Sequence, residues 1–209
     1  MTKISTSILS AKDRIECIKK LNNTTTDYIH IDVMDGLFVP NYQLPINEVN
    51  ELGKISTKSF DIHLMMKDPE AFIENLSITN IDSITFHVEI DKEKNITDII
   101  NIIRRHGWKT GLAINPKTNI DSLDKYIDII DKVIIMSVEP GYGGQKFIES
   151  TIGKINDLRR IKPNILIEVD GGINDETIEK IKDNTDIAVV GSYIINSNNY
   201  EKTINELKN

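Results

Sequence analysis

Cysteine is almost missing from this 209-residue chain. A single thiol, Cys17, rules out an internal disulfide framework and fits a reducing, cytoplasmic setting. Long apolar stretches are missing as well: runs such as residues 133–136 fall far below the ~18 needed to cross a bilayer. No basic segment leads into an apolar one near residue 1, so no signal peptide is expected. Positive charge is in deficit, with 25 Lys and Arg against 32 Asp and Glu. The resulting net charge of −7 argues against nucleic acid or an anionic membrane surface as a partner. An anionic ligand would then need a local positive centre: a metal, helix N-termini or backbone amides. The dinucleotide fingerprint G-x-G-x-x-G is also lacking after the first apolar run, where Ser7-Ile8-Leu9-Ser10-Ala11 stands.

What is present is a regular alternation. Short β-branched runs at 4–9, 28–34, 60–65, 83–88, 110–114, 133–138, 165–170 and 187–191 read as strands. Amphipathic patterns at 13–21, 46–52, 69–76, 96–106, 120–130, 149–161, 175–182 and 200–207 read as helices between them. Asp68-Pro69-Glu70 and Asn174-Asp175-Glu176 supply helix-start signals. Eight units in 209 residues is about 26 residues each, near the minimum for a strand, a helix and two short loops. With no linker or low-complexity tract, the expectation is one α/β domain over 1–209, a parallel sheet closed into a (β/α)8 TIM barrel.

In such a barrel, chemistry collects at the carboxyl ends of the strands. Three of the four histidines, His30, His63 and His87, fall there. The fourth, His106, closes a helix beside Gly107, where a cation suits the dipole. His30 and Asp32 share one face of the second run, with Ile29, Ile31 and Val33 facing the other way. Asp61-Ile62-His63 repeats the pattern, and Asp170 ends the seventh run. A lone strand histidine is ordinarily a hydrogen-bonded core residue. Four such residues at matching strand ends instead point to a divalent metal such as zinc, with manganese, cobalt and iron also compatible.

Glycines at Gly141-Tyr142-Gly143-Gly144, Gly171-Gly172 and Gly191-Ser192 follow the last three strands, where this architecture cradles phosphate on backbone amides. Met34, Met65 and Met136 end strands two, three and six, either as packing or as a water-excluding wall. No lysine sits late in a strand facing inward, so a Schiff-base aldolase is unsupported, and Cys17 on a helix is no nucleophile. A metal, a phosphate anchor and two aspartates suit epimerisation beside a ketone. One carboxylate takes a proton from one face and the other returns one to the opposite face, with Asp32 and Asp170 as the pair.

The blocks Ser7-Ile8-Leu9-Ser10, His30-Ile31-Asp32-Val33-Met34-Asp35-Gly36, Asp61-Ile62-His63-Leu64-Met65, Val138-Glu139-Pro140-Gly141-Tyr142-Gly143-Gly144-Gln145 and Glu168-Val169-Asp170-Gly171-Gly172 occur in order over nearly the whole chain. The sequence thereby resembles the ribulose-phosphate 3-epimerases. The resemblance implies interconversion of D-ribulose 5-phosphate and D-xylulose 5-phosphate in the pentose phosphate pathway, by a homo-oligomer (dimer or hexamer). It implies His30, Asp32, His63 and Asp170 as metal ligands, Asp32 as proton acceptor and Asp170 as donor. Ser7 and His63 would touch substrate, the glycine segments with Tyr142 and Ser192 would hold it and its phosphate, and the three methionines would wall the site. An epimerase of a six-carbon ketose phosphate such as allulose 6-phosphate, or a non-catalytic phosphosugar-binding barrel, are the alternatives.

Departures from the family pattern are Thr6 for proline, Leu37 for a polar residue and Tyr193 for a small one. Asn80 and Asn184 stand at turns where the family has glycine, and asparagine is expected to keep the left-handed turn.

Overall fold

A computed structural model describes residues 1–209. The apolar runs form β1 (Lys3–Ser7), β2 (Tyr28–Asp35), β3 (Tyr42–Gln43), β4 (Ser59–Met65), β5 (Ile81–His87), β6 (Lys109–Ile114), β7 (Lys132–Met136), β8 (Leu166–Asp170) and β9 (Ile187–Val190). All except β3 pair in parallel with both neighbours, and the β1–β2 pairing closes the ring into an eight-stranded barrel. β3 is a two-residue ribbon antiparallel to the end of β2, with Asp35 opposite Tyr42. Around the ring lie α1 (Arg14–Leu21), α2 (Ile46–Ile55), α3 (Pro69–Glu74), α4 (Ile96–Arg105), α5 (Thr151–Ile161), α6 (Asp175–Ile178), α7 (Ser192–Ile195) and α8 (Tyr200–Lys208).

Local chemistry sets these helices. Asp13 caps α1 by accepting from the Glu16 N–H, and Asn95 and Asn199 cap α4 and α8 in the same way. In α4, Ile96, Ile99, Ile100 and Ile103 recur at helical spacing and are buried against the barrel. Ile29, Ile31 and Val33 of β2 join that outer apolar layer, which leaves His30 and Asp32 to the interior.

The structure corrects several expected elements. Residues 120–130 are not an α-helix. A 3-10 turn at Ile120–Leu123 continues in i→i+3 bonds from Asp124, Tyr126 and Ile129. Buried Leu123, Tyr126, Ile127 and Ile130 keep the spacing of a helix face, yet of the backbone bonds here only that from the Ile127 N–H to Leu123 spans four residues. α6 stops at Ile178 and proceeds through similar turns to Asn184. β7 ends at Met136 because the Ser137 carbonyl is taken by the Ile148 N–H of the following loop. The last strand is followed by two helices, not one. Asn80 and Asn184 are not left-handed, since Leu44 is the one non-glycine residue with positive φ. Asn80 instead donates its amide to the carbonyls of Gly53, Ser56 and Lys58, fastening the turn from the side chain.

The lower barrel interior is polar. Ser5, Asp61, Ser83, Lys132 and Glu168 are all essentially inaccessible. Lys132 Nζ donates to Glu168 Oε2 at 2.5 Å and to Asp61, while Ser5 and Ser83 each donate to Asp61 at 2.9 Å. Burial opposes charge on all three ionisable groups. Asp61 and Glu168 outweigh it at Lys132, whose ammonium is held above its usual range. Lys132 and His30 outweigh it at Asp61, which lies well below. Glu168 is pushed up by burial and by Asp61. The lysine stem has room because Gly111 faces it: a Cβ there would lie 2.8 Å from Lys132 Cγ and 2.3 Å from Thr85 Oγ1.

Removing the one ammonium strands two buried acids. Lys132→Met is expected to lower the unfolding free energy by about 3–5 kcal/mol in urea titrations. A loss below about 1 kcal/mol would mean that the acids find another way to neutrality.

Candidate functional site

Barrel register brings the expected ligands to one height. Asp32 of β2 pairs with His63 of β4, and Asp170 of β8 is opposite Met136 of β7. His30 lies two residues earlier on the inward face of β2. His30 Nε2 is 3.5 Å from Asp32 Oδ1 and 3.9 Å from Asp170 Oδ2. His63 Nδ1 is 3.6 Å from Asp32 Oδ1 and 3.5 Å from Asp170 Oδ2. One ligand atom from each of the four residues lies within 4.8 Å of all the others.

Other atoms of His30, His63 and Asp32 are already engaged. His30 Nδ1 bonds Asp61 Oδ2 at 2.9 Å, and His63 Nε2 bonds His87 Nε2 at 2.9 Å. Ser7 donates to Asp32 Oδ2 at 2.7 Å. Left over are His30 Nε2 and His63 Nδ1, both buried and without a hydrogen-bond partner, aimed at the same two carboxylates. Orphaned buried nitrogens are uncommon. Two of them facing two acids form a donor set that fits a divalent cation. The cluster His30, Asp61 and Glu168 beneath is also acid-rich, but there Lys132 already supplies the cation.

Electrostatics agree. Burial lowers both imidazoles, yet Asp32 and Asp61 hold His30 well above its ordinary value, and Asp170 and Asp32 raise His63. Burial would raise Asp32, but His30 and His63 bring it far below the usual carboxylate range. This pocket of negative potential calls for positive charge.

Above the ligands opens a cavity of about 780 Å³. Ser7, Asp32, Asp170, Met34, Met65 and Met136 form its floor and wall, while His30 and His63 lie beneath the floor with no exposed surface. Gly141, Tyr142, Gly143, Gly144, Gly171, Gly172, Gly191 and Ser192 line its rim. Gly172 must be glycine: its φ is +65°, and a Cβ would lie 2.5 Å from the Phe147 nitrogen. Gln145 closes its loop by donating to the carbonyls of Glu139 and Tyr142, and Asn41 donates to Gly141 from across the mouth. Tyr193 lines the cavity, whereas Leu37 is 69% exposed.

Other residues fall where the sequence put them. His106 caps α4, stacks on Trp108 and meets Glu74 on the outside of the barrel. Cys17 is buried in the outer layer, where burial pushes its thiol up to about 11, too high for a nucleophile. Two supporting residues escaped the sequence reading. Lys132 is the first residue of its strand, one before the expected start. Glu89 stands two after His87, the same spacing as His30 and Asp32, which is the signal that would have found it. Glu89 Oε2 bonds His87 Nδ1 at 3.1 Å, and Oε1 accepts from the Asn115 N–H and Thr118 Oγ1.

Residues 3–195 match the model of the ribulose-phosphate 3-epimerase family. A ribulose-phosphate 3-epimerase of Buchnera aphidicola subsp. Baizongia pistaciae is 40% identical, over 98% of this chain and 93% of its own. One from Bacillus subtilis is 35% identical over 100% and 99%. Among solved structures, 3-hexulose-6-phosphate synthase from Salmonella typhimurium superposes with a TM-score of 0.72 over 99% of this chain and 96% of its own. At 12% identity that likeness concerns the fold alone. No helix is long and apolar enough to cross a membrane.

The ties of Glu89 have a pH signature. Burial would raise this carboxyl, but hydrogen bonds from His87, Thr118 and Asn115 bring it down to about 2, from 4.5. The folded value is depressed, so the stabilisation is complete above the unfolded value near 4.5 and is lost as pH falls toward 2. At neutral pH it amounts to about 3 kcal/mol. The stability gap between wild type and Glu89→Gln is therefore expected to close between those pH values in denaturant titrations. A gap independent of pH would separate Glu89 from acid unfolding.

Proposed function

The chain belongs to the ribulose-phosphate 3-epimerase family, and from that membership we propose that it interconverts D-ribulose 5-phosphate and D-xylulose 5-phosphate by proton transfer at C3. The observation that carries this reading is the pair of partnerless imidazole nitrogens facing Asp32 and Asp170 at the floor of a glycine-rimmed cavity. On this reading His30, Asp32, His63 and Asp170 hold one divalent ion, zinc or one of iron, manganese and cobalt. When bound, such an ion polarises the ketone and stabilises the negative charge that develops on its oxygen.

The chain's own groups do the rest. Asp32 and Asp170 project from β2 and β8, strands separated by β1 and β9, so they address the substrate from different sides. Starting with Asp170 protonated, Asp32 takes the C3 proton from one face and Asp170 returns one to the other, which inverts the carbon. The two carboxyls have then exchanged protonation, and proton exchange with water or a reverse turnover restores them. The Ser7 hydroxyl orients Asp32 and lines the cavity that receives the substrate, above the buried His63. Met34, Met65 and Met136 keep water from the planar intermediate. Backbone amides of Gly171, Gly172, Gly191 and Ser192, with the turn at 141–144, receive the phosphate. They supply the local positive potential that a chain of net charge −7 otherwise lacks. The reading extends to one catalytic domain over 1–209, working in the cytoplasm as a dimer or hexamer, with the lone buried thiol in keeping with a reducing compartment.

The test is conversion of ribulose 5-phosphate to xylulose 5-phosphate by metal-loaded protein, with solvent deuterium entering C3. Asp170→Asn is expected to lose at least ~10²–10⁴ in rate. A variant within about tenfold of wild type would remove Asp170 from proton transfer. His106→Ala, on the outside of the barrel, is expected to leave the rate almost unchanged. A loss matching that of His63→Ala would overturn the placement of the site.

A further inference from the structure

The imidazole of His63 can bind a cation through Nδ1 only if its own proton sits on Nε2. Nothing within His63 decides this, because the two tautomers of a free imidazole are close in energy. The decision comes from outside the barrel mouth.

Glu89 accepts from the Asn115 N–H at 2.7 Å and from Thr118 Oγ1 at 2.5 Å, both through Oε1. Its Oε2 faces His87 Nδ1 at 3.1 Å. A carboxylate can only accept, so His87 must carry its proton on Nδ1. A neutral imidazole has one N–H, which leaves His87 Nε2 as a lone pair. That lone pair meets His63 Nε2 at 2.9 Å and can only accept from it. His63 is thereby protonated on Nε2, and Nδ1 is the nitrogen it can offer to a cation. This is the nitrogen that lies without a hydrogen-bond partner 3.6 Å from Asp32 and 3.5 Å from Asp170. His87 has no exposed surface and is packed between the Phe38 ring at 4.6 Å and the His63 ring at 5.0 Å, so it cannot swing to another partner.

We propose that Glu89 and His87 are positioning residues that set the tautomer of His63 and so present its Nδ1 to the ion, an inference that rests on the metal reading above. They touch no substrate and line no part of the cavity. His30 is set the same way with one link fewer, since Asp61 accepts directly from its Nδ1–H and leaves Nε2 to face the upper carboxylates. The longer relay brings the loop after β6 into the metal site. Lys154 fastens that loop by donating to the carbonyls of Asn115, Pro116 and Thr118.

The isosteric substitution Glu89→Gln reverses every link. Its amide oxygen keeps Asn115 and Thr118, so its NH₂ group must point at His87 Nδ1 and donate. The His87 proton moves to Nε2, and His63 is driven to carry its proton on Nδ1, against the ion. Titration with Co²⁺ in competition with a chelator, read by visible absorption, is expected to give 10–100-fold weaker binding in Glu89→Gln. In the unaltered chain, long-range ¹⁵N–¹H correlation is expected to find the His87 proton on Nδ1. If that proton is on Nε2, the relay is wrong whether or not the variant folds. If the unaltered chain binds Co²⁺ and folded Glu89→Gln binds it within about threefold, the relay is also wrong while the metal reading stands. If the unaltered chain does not bind Co²⁺, the metal reading falls and takes the relay with it.

Discussion

Ionised side chains inside a parallel barrel need a counter-charge, and this requirement organises the molecule. Taking a carboxylate out of water costs several kcal/mol unless it is paired and hydrogen-bonded. The barrel holds four of them in two tiers. Asp61 and Glu168 in the lower tier are compensated by Lys132, a covalent part of the chain. Asp32, which also accepts from Ser7, and Asp170 in the upper tier face imidazoles with unused nitrogens. The lower tier thus carries a cation of its own, while the upper tier has no lysine or arginine against its acids. His30 joins the two, bonded to Asp61 through one nitrogen and turned to the upper carboxylates with the other.

The same division explains how much could be read from the residues alone. The strands declared themselves by β-branched runs, and the inward positions of His30, Asp32, His63 and Asp170 followed from strand parity. These are local patterns with a period of two. Lys132 went unread because strand ends are fixed by register with neighbours, here Leu166 and Gly111, and not by the run itself. Glu89 went unread because its role depends on Asn115 and Thr118, 26 and 29 residues away. Residues 120–130 carry buried apolar side chains at helical spacing, Leu123, Tyr126, Ile127 and Ile130, but the backbone bonds there are mostly three-residue turns, which that spacing does not reveal. The asparagines at 80 and 184 show a subtler limit. Their tolerance of left-handed backbone suggested a glycine-like turn, whereas Asn80 works through its side-chain amide on three carbonyls.

Fold and chemistry are separable in this architecture. A barrel 12% identical to this one superposes over almost its full length under a different enzyme name. The distinguishing content lies in a few strand-end side chains and in the loops that follow them. Those loops are held stiffly: Gln145 and Asn41 tie the rim, Asp35 accepts from Leu37, Phe38 and Lys67, and Gly172 permits a backbone approach no other residue would allow. A rim fixed in this way can present backbone amides to a ligand with little reorganisation.

The gap left by Gly111 ties two positions on neighbouring strands into one unit of inheritance. Any side chain at 111 would collide with the stem of residue 132, and a shorter stem would leave Asp61 and Glu168 without their ammonium. A change at either position alone unbalances the base of the barrel, so replacing the lysine calls for replacing the acids as well.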